Sequence, residues 1–336
     1  MVRQSPNFNR SREISPASLV QELVQEFLSL ENFQRAWEKV AANQGSAGID
    51  RETLDDFRRN SRTNLLELKQ AVANSTYQAL PCKQVLIPKN QNSWRELRIP
   101  AIRDRIVQQA LLNVLGPVWE NKFSQSSFAY RPNLSYLTAV EEVARYRDLG
   151  YIWVLDADIT QYFNNIEHNR LLREVRQHID HSGILCLIKA WITTEIVTEQ
   201  GIIRNEKGIP QGAVISPLLA NIYLNEFDNF FADTNLHLIR YADDFLVLAQ
   251  TKEQIIQVYS QVEKMLNSIG LELNYAKTQI TNFDRGFRFL GHGFLENAIF
   301  PLESSKNQQQ SGVGTNKNGK KKASCVMKQK GKGKRR

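Results

Sequence analysis

The chain has 336 residues, 42% of them hydrophobic, and a formal net charge of +8. Its length allows two domain-sized units with ordinary globular cores. No apolar run approaches the roughly 20 residues of a membrane span, and the polar start Met-Val-Arg-Gln-Ser-Pro-Asn does not resemble a signal peptide. Cys82, Cys186 and Cys325 are too far apart for a disulfide framework or a zinc site. These features predict a cytoplasmic protein without membrane association.

The first part of the chain shows helical apolar spacing. Leu19 to Leu28 and Phe33 to Trp37 follow this spacing, so residues 1–79 are predicted to be mostly helical. A β-ribbon is expected around residues 83–99 and a helix around residues 104–116.

The first candidate for chemistry is a strand that runs into acidic residues. Tyr151-Ile-Trp-Val-Leu reads as a buried strand, and Asp156 and Asp158 follow it before a turn that enters a helix. The two carboxylates are two residues apart and so could share one face of the strand. Asp156 ranks second because it lies deeper in the strand.

The segment from Gly208 to Leu224 predicts a loop followed by a helix. Pro-Gln211-Gly212 forms the loop, Ser216 is a plausible helix cap, and Pro217 falls in the first turn. A glycine at such a junction lets a substrate approach the backbone closely. The simpler interpretation is an ordinary loop that leads into a core helix.

Residues 241–244 read Tyr-Ala-Asp-Asp between two apolar runs, which predicts a β-hairpin with four residues in its turn. Aspartate is common in turns, so this pair alone would indicate only a solvated turn. Asp158 changes that interpretation, because Asp158, Asp243 and Asp244 on neighbouring strands would supply carboxylate oxygens from separate segments. Two metal ions about 3.5–4 Å apart need such a set of ligands.

The end of the chain combines two further predicted elements with a basic tail. Lys252 to Ile269 predicts an amphipathic helix, and Phe287 to Phe300 predicts a closing hairpin. From Ser304 onward there are eleven Lys or Arg residues and no Asp or Glu. This composition predicts a disordered tail, which acts either as a nucleic-acid tether or only as a linker or solvated end.

Together these segments resemble the group II intron-like bacterial reverse transcriptases, and the resemblance covers roughly residues 30–300. Eight motifs occur in the family's order: Val85-Leu-Ile-Pro-Lys89 with Trp94 to Pro100, Arg103 to Ala110, Ser127-Phe-Ala-Tyr-Arg-Pro132, Leu155 to Ile159, Ile209 to Asn221, Tyr241 to Asp244, Leu273-Asn-Tyr-Ala-Lys-Thr278, and Phe289-Leu-Gly291. No single motif is specific, but the ordered series is.

The resemblance implies an α+β fold with the fingers and palm of a right-hand polymerase, and an antiparallel palm sheet packed against helices. Residues 1–79 would form an N-terminal helical extension, residues 80–145 the fingers, residues 146–302 the palm and residues 303–336 the tail. The reverse transcriptase domain would run from about residue 70 to residue 302. No thumb is recognisable after residue 302.

The resemblance also implies the reaction, in which a primer 3′-hydroxyl is joined to a deoxynucleotide by a two-metal mechanism. Asp158, Asp243 and Asp244 would be the catalytic residues and would hold two Mg²⁺ ions, or Mn²⁺ in their place. The backbone carbonyl of Ile159 would be a further metal ligand.

Five side chains and one glycine are implied in deoxynucleotide binding: Lys89, Arg95, Phe163, Gln211, Gly212 and Lys277. Lys89 and Arg95 would hold the triphosphate, for which a guanidinium fork is well suited. Phe163 would exclude a 2′-hydroxyl, and Lys277 would protonate the leaving pyrophosphate. The alternatives are an exposed charged ribbon for Lys89, a core aromatic for Phe163 and a surface lysine for Lys277.

The implied partners are an RNA template and a DNA or RNA primer. The Phe283 to His292 segment resembles reverse transcriptases associated with CRISPR adaptation, which would add an integrase partner beside the 287–300 hairpin and a role in antiviral defence. Two other functions stay open: a non-catalytic palm that binds RNA for a partner, and a primase-like or template-independent nucleotidyltransferase. The metal triad argues against the first, and the ribbon with Lys89 and Arg95 argues against the second.

Overall fold

The computed structural model describes residues 16–90 and 93–302. The predicted tail, residues 303–336, and Cys325 lie outside the described residues. No helix in the described part combines the length and apolar character needed to cross a membrane.

Residues 16–79 contain four helices, which agrees with the predicted mostly helical character of this part. These are α1 (Pro16–Phe27), α2 (Leu30–Ala42), α3 (Leu54–Arg59) and α4 (Ser61–Ala73). Side-chain caps fix two of their starts: Ser29 accepts from the N–H of Asn32, and Thr53 and Asp56 form a capping box. α1 and α2 pack against α5 (Ile102–Glu120), the helix predicted at 104–116, and α4 packs against α2 and α3.

The predicted ribbon is confirmed as β1 (Cys82–Asn90) and β2 (Ser93–Ile99), which pair antiparallel. Two short strands, β4 (Ile196–Thr198) and β5 (Gly201–Ile203), extend this sheet, because β4 pairs parallel with β1. The sheet therefore includes a segment from within the predicted palm range. The domain boundaries themselves stay a prediction.

The second sheet is antiparallel and four-stranded, in the order β6-β7-β3-β8. Its members are β3 (Trp153–Asp158), β6 (His237–Tyr241), β7 (Asp244–Ala249) and β8 (Gln279–Asn282). Among the described residues, six helices follow α5 before the last sheet: α6 (Tyr136–Asp148), α7 (Tyr162–Asn165), α8 (His168–Arg176), α9 (Ser182–Ile192), α10 (Ser216–Asn229) and, after β7, α11 (Lys252–Ser268).

The two faces of this sheet bury different clusters. Leu155 and Val247 pack into the large helical core, whereas Val154, Leu246 and Leu248 pack with Phe128 and the phenylalanines of the last sheet. Alternation along β3 therefore directs Asp156 and Asp158 to the face of Val154.

The predicted closing hairpin is a three-stranded antiparallel sheet of β9 (Phe287–Phe289), β10 (His292–Leu295) and β11 (Ala298–Pro301). Phe287 and Phe294 stack with ring centroids 4.8 Å apart and anchor it to the second cluster. The expected α+β class with an antiparallel sheet and packed helices is confirmed.

Candidate active site

The acidic hairpin is tighter than the sequence indicated. Tyr241 and Asp244 form the last pair of the β6–β7 ladder, so only Ala242 and Asp243 make the turn. The predicted four-residue turn is wrong in length, because the outer two residues continue the ladder, as two-residue hairpin loops allow. Ala242 has φ of 60°, in the left-handed region, and is buried.

The three aspartates come together at the end of the sheet. Asp158, the last residue of β3, lies directly opposite Asp244, the first residue of β7. Directly opposed residues have their Cβ atoms about 4.5–5.5 Å apart. The backbone N–H of Ile159 donates to the carbonyl of Asp243 at 3.2 Å and so ties the turn to the end of β3.

Asp156 is on the same face but is engaged elsewhere. Its Oδ2 accepts from Nε2 of Gln279 on β8 at 2.9 Å. Burial raises the pKa of Asp156, and the charge of Asp158 raises it further, while the Gln279 hydrogen bond opposes the rise. Asp156 lies two residue pairs deeper in the β3–β7 ladder than Asp158.

Crowding of negative charge is the main electrostatic feature of the site. Burial, and then the neighbouring Asp243 and Asp158, raise the pKa of Asp244 to about 7, and Lys277 opposes this rise. A site with several carboxylates at short range is stabilised by added positive charge.

Lys277 and Asn274 hold the Asp158 carboxylate. The Lys277 ammonium is 2.6 Å from Oδ2, and Asn274 Nδ2 donates to Oδ1 at 3.0 Å. The backbone N–H of Asn274 also donates to the Asp158 carbonyl at 2.8 Å. Burial lowers the pKa of Lys277, but the hydrogen bond and charge of Asp158 outweigh it, so the net shift is upward.

Asn274 was not identified as a site residue from the sequence. Its position three residues before Lys277, within the Leu273 to Thr278 motif, could have indicated this role. Thr278 and Lys277 both donate backbone N–H groups to the Asn274 carbonyl at 2.9 Å, so the turn itself aims both side chains at Asp158.

The donor set fits a hard divalent cation, because it consists of carboxylate oxygens and already attracts an ammonium group. Within residues 16–90 and 93–302, no group of three or more His, Cys, Asp or Glu side chains is arranged to hold a metal ion. Lys277 and Asn274 instead occupy the oxygens of Asp158.

The loop with Gln211 and Gly212 is tied to the first sheet and to α7. The N–H of Arg98 on β2 donates to the Gln211 carbonyl, and the N–H of Ile209 donates to the Phe163 carbonyl, each at 2.8 Å. Gly212 has φ of +114°, and a Cβ there would lie 3.3 Å from the Arg98 carbonyl oxygen. A side chain at residue 212 would therefore be strained by conformation and by contact.

Two predictions beside this loop have different outcomes. Phe163 is partly buried on α7 and packs against the large core beside this loop. Its role in excluding a 2′-hydroxyl stays a prediction. Ser216 is not the helix cap: α10 begins at Ser216, and Ile215 occupies the cap position without a side-chain hydrogen bond. Pro217 lies in the first turn, as expected.

Arg95 is exposed on β2 opposite Ile87, and Lys89 lies in β1, although its side chain is outside the described part. Tyr130 lies within electrostatic range of both this ribbon and the hairpin. Burial raises the pKa of Tyr130, Asp243 raises it further, and Arg95 lowers it. The charges of Asp243 and Arg95 thus act on the same phenol. Tyr130 is 54% exposed with φ of 62°, and the sequence had given it no role.

Comparison with known proteins gives a consistent picture. The family model for reverse transcriptase (RNA-dependent DNA polymerase) matches residues 87–294. Protein YkfC of Escherichia coli is 32% identical over 76% of this chain and 77% of its own length. The group II intron-encoded protein LtrA of Lactococcus lactis is 26% identical over 76% of this chain and 54% of its own length. The putative COX1/OXI3 intron 1 protein of Saccharomyces cerevisiae is 26% identical, and the match spans 38% of that protein.

Solved structures agree on the fold. Telomerase from Candida albicans, in complex with a TWJ fragment of telomeric RNA, superposes on 72% of this chain and 51% of its own with a TM-score of 0.52 at 15% identity. A chain of a partial Cas6-RT-Cas1–Cas2 complex covers 72% of this chain and 41% of its own at 25% identity, with a TM-score of 0.45. Because the TM-score of the second structure is only 0.45, the CRISPR-associated subgroup and the integrase partner stay predictions.

Proposed function

The chain belongs to the reverse transcriptase family of RNA-dependent DNA polymerases, and we propose that Asp158, Asp243 and Asp244 carry its nucleotidyl transfer. The observation that supports this assignment most directly is the cross-strand pair of Asp158 and Asp244 beside the two-residue turn that bears Asp243. The same family model covers all three residues. Because the chain spans only about half or less of the intron-encoded relatives, the activity of the whole protein is part of the proposal.

The reaction joins the 3′-oxygen of a primer to the α-phosphorus of a deoxynucleotide, and pyrophosphate leaves. Asp158, Asp243 and Asp244 hold the metals, with the Ile159 carbonyl as a further ligand. When bound, two Mg²⁺ ions, or Mn²⁺ in their place, lower the pKa of the 3′-hydroxyl and neutralise the leaving group. The raised pKa of Asp244 supports a site that is completed by added positive charge.

Lys277 has two successive places in this scheme. Without metal its ammonium neutralises Asp158 at 2.6 Å. A metal ion held by Asp158 would use that oxygen, and Lys277 would then be free to approach the leaving pyrophosphate. There it would donate a proton to a pyrophosphate oxygen, since a lysine ammonium is protonated at neutral pH. Asn274 remains on the other oxygen of Asp158 and keeps the carboxylate oriented.

The incoming deoxynucleotide is held between the ribbon and the loop. Arg95 and Lys89 bind the triphosphate, and the 2.8 Å hydrogen bond from the N–H of Arg98, on the same strand as Arg95, to the Gln211 carbonyl supports the closeness of ribbon and loop. Phe163 lies under the sugar and excludes a 2′-hydroxyl. Gln211 and Gly212 line the base and template side, where the backbone approaches β2 closely.

A cleft of about 870 Å³ opens beside Tyr130 and Arg131 and reaches Pro217 at the start of α10. Phe123 and Lys39 also line it. Arg131 is bonded to Glu120 at 2.8 Å and its side chain is only 8% exposed, so Lys39 is the exposed cation beside Tyr130 in this cleft. The exposed ring and this ammonium suit a single nucleic-acid strand, because bases stack on the ring and a phosphate pairs with the charge. We assign this cleft to the RNA template, which pairs with a DNA or RNA primer.

The test is primer extension by the purified full-length chain. A labelled primer is offered on an RNA template, on a DNA template and without template, each with deoxynucleotides or ribonucleotides and Mg²⁺ or Mn²⁺. We expect extension that follows the RNA template and prefers deoxynucleotides. An Asp244→Asn preparation, purified in parallel, controls for contaminating polymerase.

Two outcomes would contradict the proposal. Tight RNA binding without extension under any condition would indicate the non-catalytic palm module. Extension without a template would indicate the template-independent nucleotidyltransferase.

A further inference from the structure

A fully buried ion pair lies directly behind the acidic turn. Arg240, on β6 and three residues before Asp243, and Asp228, on α10, both have side chains with 0% exposure. Arg240 Nε donates to Asp228 Oδ1 at 2.6 Å. Burying two charges is costly unless the geometry and the remaining hydrogen bonds compensate.

The other nitrogens of the guanidinium reach three separate segments. Nη1 donates to the Ala242 carbonyl at 3.0 Å and to Asn221 Oδ1 at 3.2 Å. Nη2 donates to Ser127 Oγ at 2.7 Å. Asn221 and Asp228, seven residues apart on α10, lie on one helix face. One side chain thus joins the turn, the helix and the segment around Ser127.

The turn is held at both of its peptide groups. Arg240 donates a hydrogen bond to the Ala242 carbonyl, and the N–H of Ile159 donates to the Asp243 carbonyl at 3.2 Å. Ala242 adopts φ of 60°, a conformation that a residue with a Cβ takes only when its surroundings enforce it. The directions of the Asp243 and Asp244 side chains depend on these two peptide planes.

The segment around Ser127 also runs beside β6. The Arg240 N–H donates to the Ser126 carbonyl at 2.8 Å, and the Phe128 N–H donates to the Arg240 carbonyl at 2.9 Å. Asn221 Nδ2 donates to the Ala129 carbonyl at 2.8 Å, one residue before Tyr130. The residues that contact Arg240 therefore also support the wall of the cleft.

We propose that Arg240 is a positioning residue for the polymerase reaction, and that it acts through the Ala242 carbonyl to fix the two carboxylates of the turn. This inference rests on the proposed function. The guanidinium raises the rate of turnover in addition to stabilising the fold, because one planar group hydrogen-bonds Asp228 and the Ala242 carbonyl at the same time. A lysine cannot reproduce that planar fork.

The experiment separates positioning from folding with three variants. Arg240→Met with Asp228→Leu removes both buried charges at once, which often leaves stability intact. Arg240→Lys keeps a charge for Asp228 but loses the planar fork. Asn32→Leu is the control: Asn32 is fully buried in α2 and donates to the Phe27 and Ala110 carbonyls at 3.1 and 2.9 Å. Unfolding curves, kcat and KM for the deoxynucleotide are measured for each.

We expect the double variant and Arg240→Lys to lose about 100-fold in kcat, the size of effect that small misplacements produce, with KM nearly unchanged. Asn32→Leu should keep kcat at equal or lower stability. If either arginine variant folds and retains wild-type kcat, or if Asn32→Leu loses kcat equally, the inference is wrong. An inactive wild-type protein would instead contradict the proposed function. Should the double variant fail to fold, Arg240→Lys decides the question alone.

Discussion

Replacing Lys277 with methionine should change metal affinity and turnover in opposite directions. The ammonium is 2.6 Å from Asp158 Oδ2 and must leave before an ion can use that oxygen. The Lys277 side chain is 53% exposed, so solvent screening limits the pair to at most about 1 kcal/mol. Removing this competitor should therefore tighten metal binding by about fivefold.

The same substitution removes the proposed proton donor. General acids typically contribute at least about 100-fold, so kcat should fall by about that factor although the metal binds more tightly. Methionine keeps the length and apolar stem of lysine, which limits effects on packing. Lys264→Met, an exposed lysine on α11, serves as the matched control.

Two measurements are needed. Electron paramagnetic resonance of free Mn²⁺ gives the affinity of the protein without nucleotide, and single-turnover extension gives the rate. Weaker Mn²⁺ binding by Lys277→Met, or an affinity equal to that of wild type, would refute the idea that the ammonium competes with the metal. An extension rate of Lys277→Met equal to that of wild type would indicate that Lys277 is only a surface lysine.

Four further predictions concern other parts of the molecule. Phe163→Ala should raise ribonucleotide incorporation relative to deoxynucleotide in single-nucleotide insertion, and unchanged discrimination would leave Phe163 as a core aromatic. Burial raises the pKa of Asp104 to about 6, so its stabilising contribution is complete below the unfolded pKa of 3.8 and is lost as the pH rises through 6. Between pH 4 and pH 7, the free energy of unfolding of the wild type should therefore fall by about 3 kcal/mol relative to that of Asp104→Asn, as measured by denaturant unfolding. A constant difference between the two proteins would contradict the raised pKa. Deleting residues 304–336 removes eleven positive charges, so RNA affinity should fall and its salt slope should flatten, and an identical slope would exclude the tail from RNA contact. Co-purification from the native host tests the predicted integrase partner beside residues 287–300, and long products made by the chain alone would argue against it.

The strands that carry the three aspartates could be predicted because their signals are local. The apolar runs before Asp158 and around residues 241–244 each mark a strand, and strand alternation alone directs Asp156 and Asp158 to one face. Residue spacing also located the helices α5 and α11 within a few residues of their ends. The family motifs then supplied the expectation that separate strands would meet.

The remaining features depend on contacts between residues that are distant along the chain. β4 joins β1 across more than one hundred residues, so nothing near either segment indicates the pairing. The bond between Lys277 and Asp158 spans 119 residues and was missed for the same reason. Arg240 did carry a local signal, since a charged residue inside an apolar strand needs a buried partner, but only the fold identifies Asp228 and Ala242.

The most direct test of the central claim is single-turnover extension of an RNA-templated primer by Asp243→Asn beside Asp233→Asn. Asp233 is an exposed aspartate between α10 and β6 and changes the net charge equally. If Asp158, Asp243 and Asp244 hold the metals, Asp243→Asn loses extension in Mg²⁺ and retains the wild-type unfolding transition, while Asp233→Asn remains active. A wild-type rate for folded Asp243→Asn would contradict the assignment of the site.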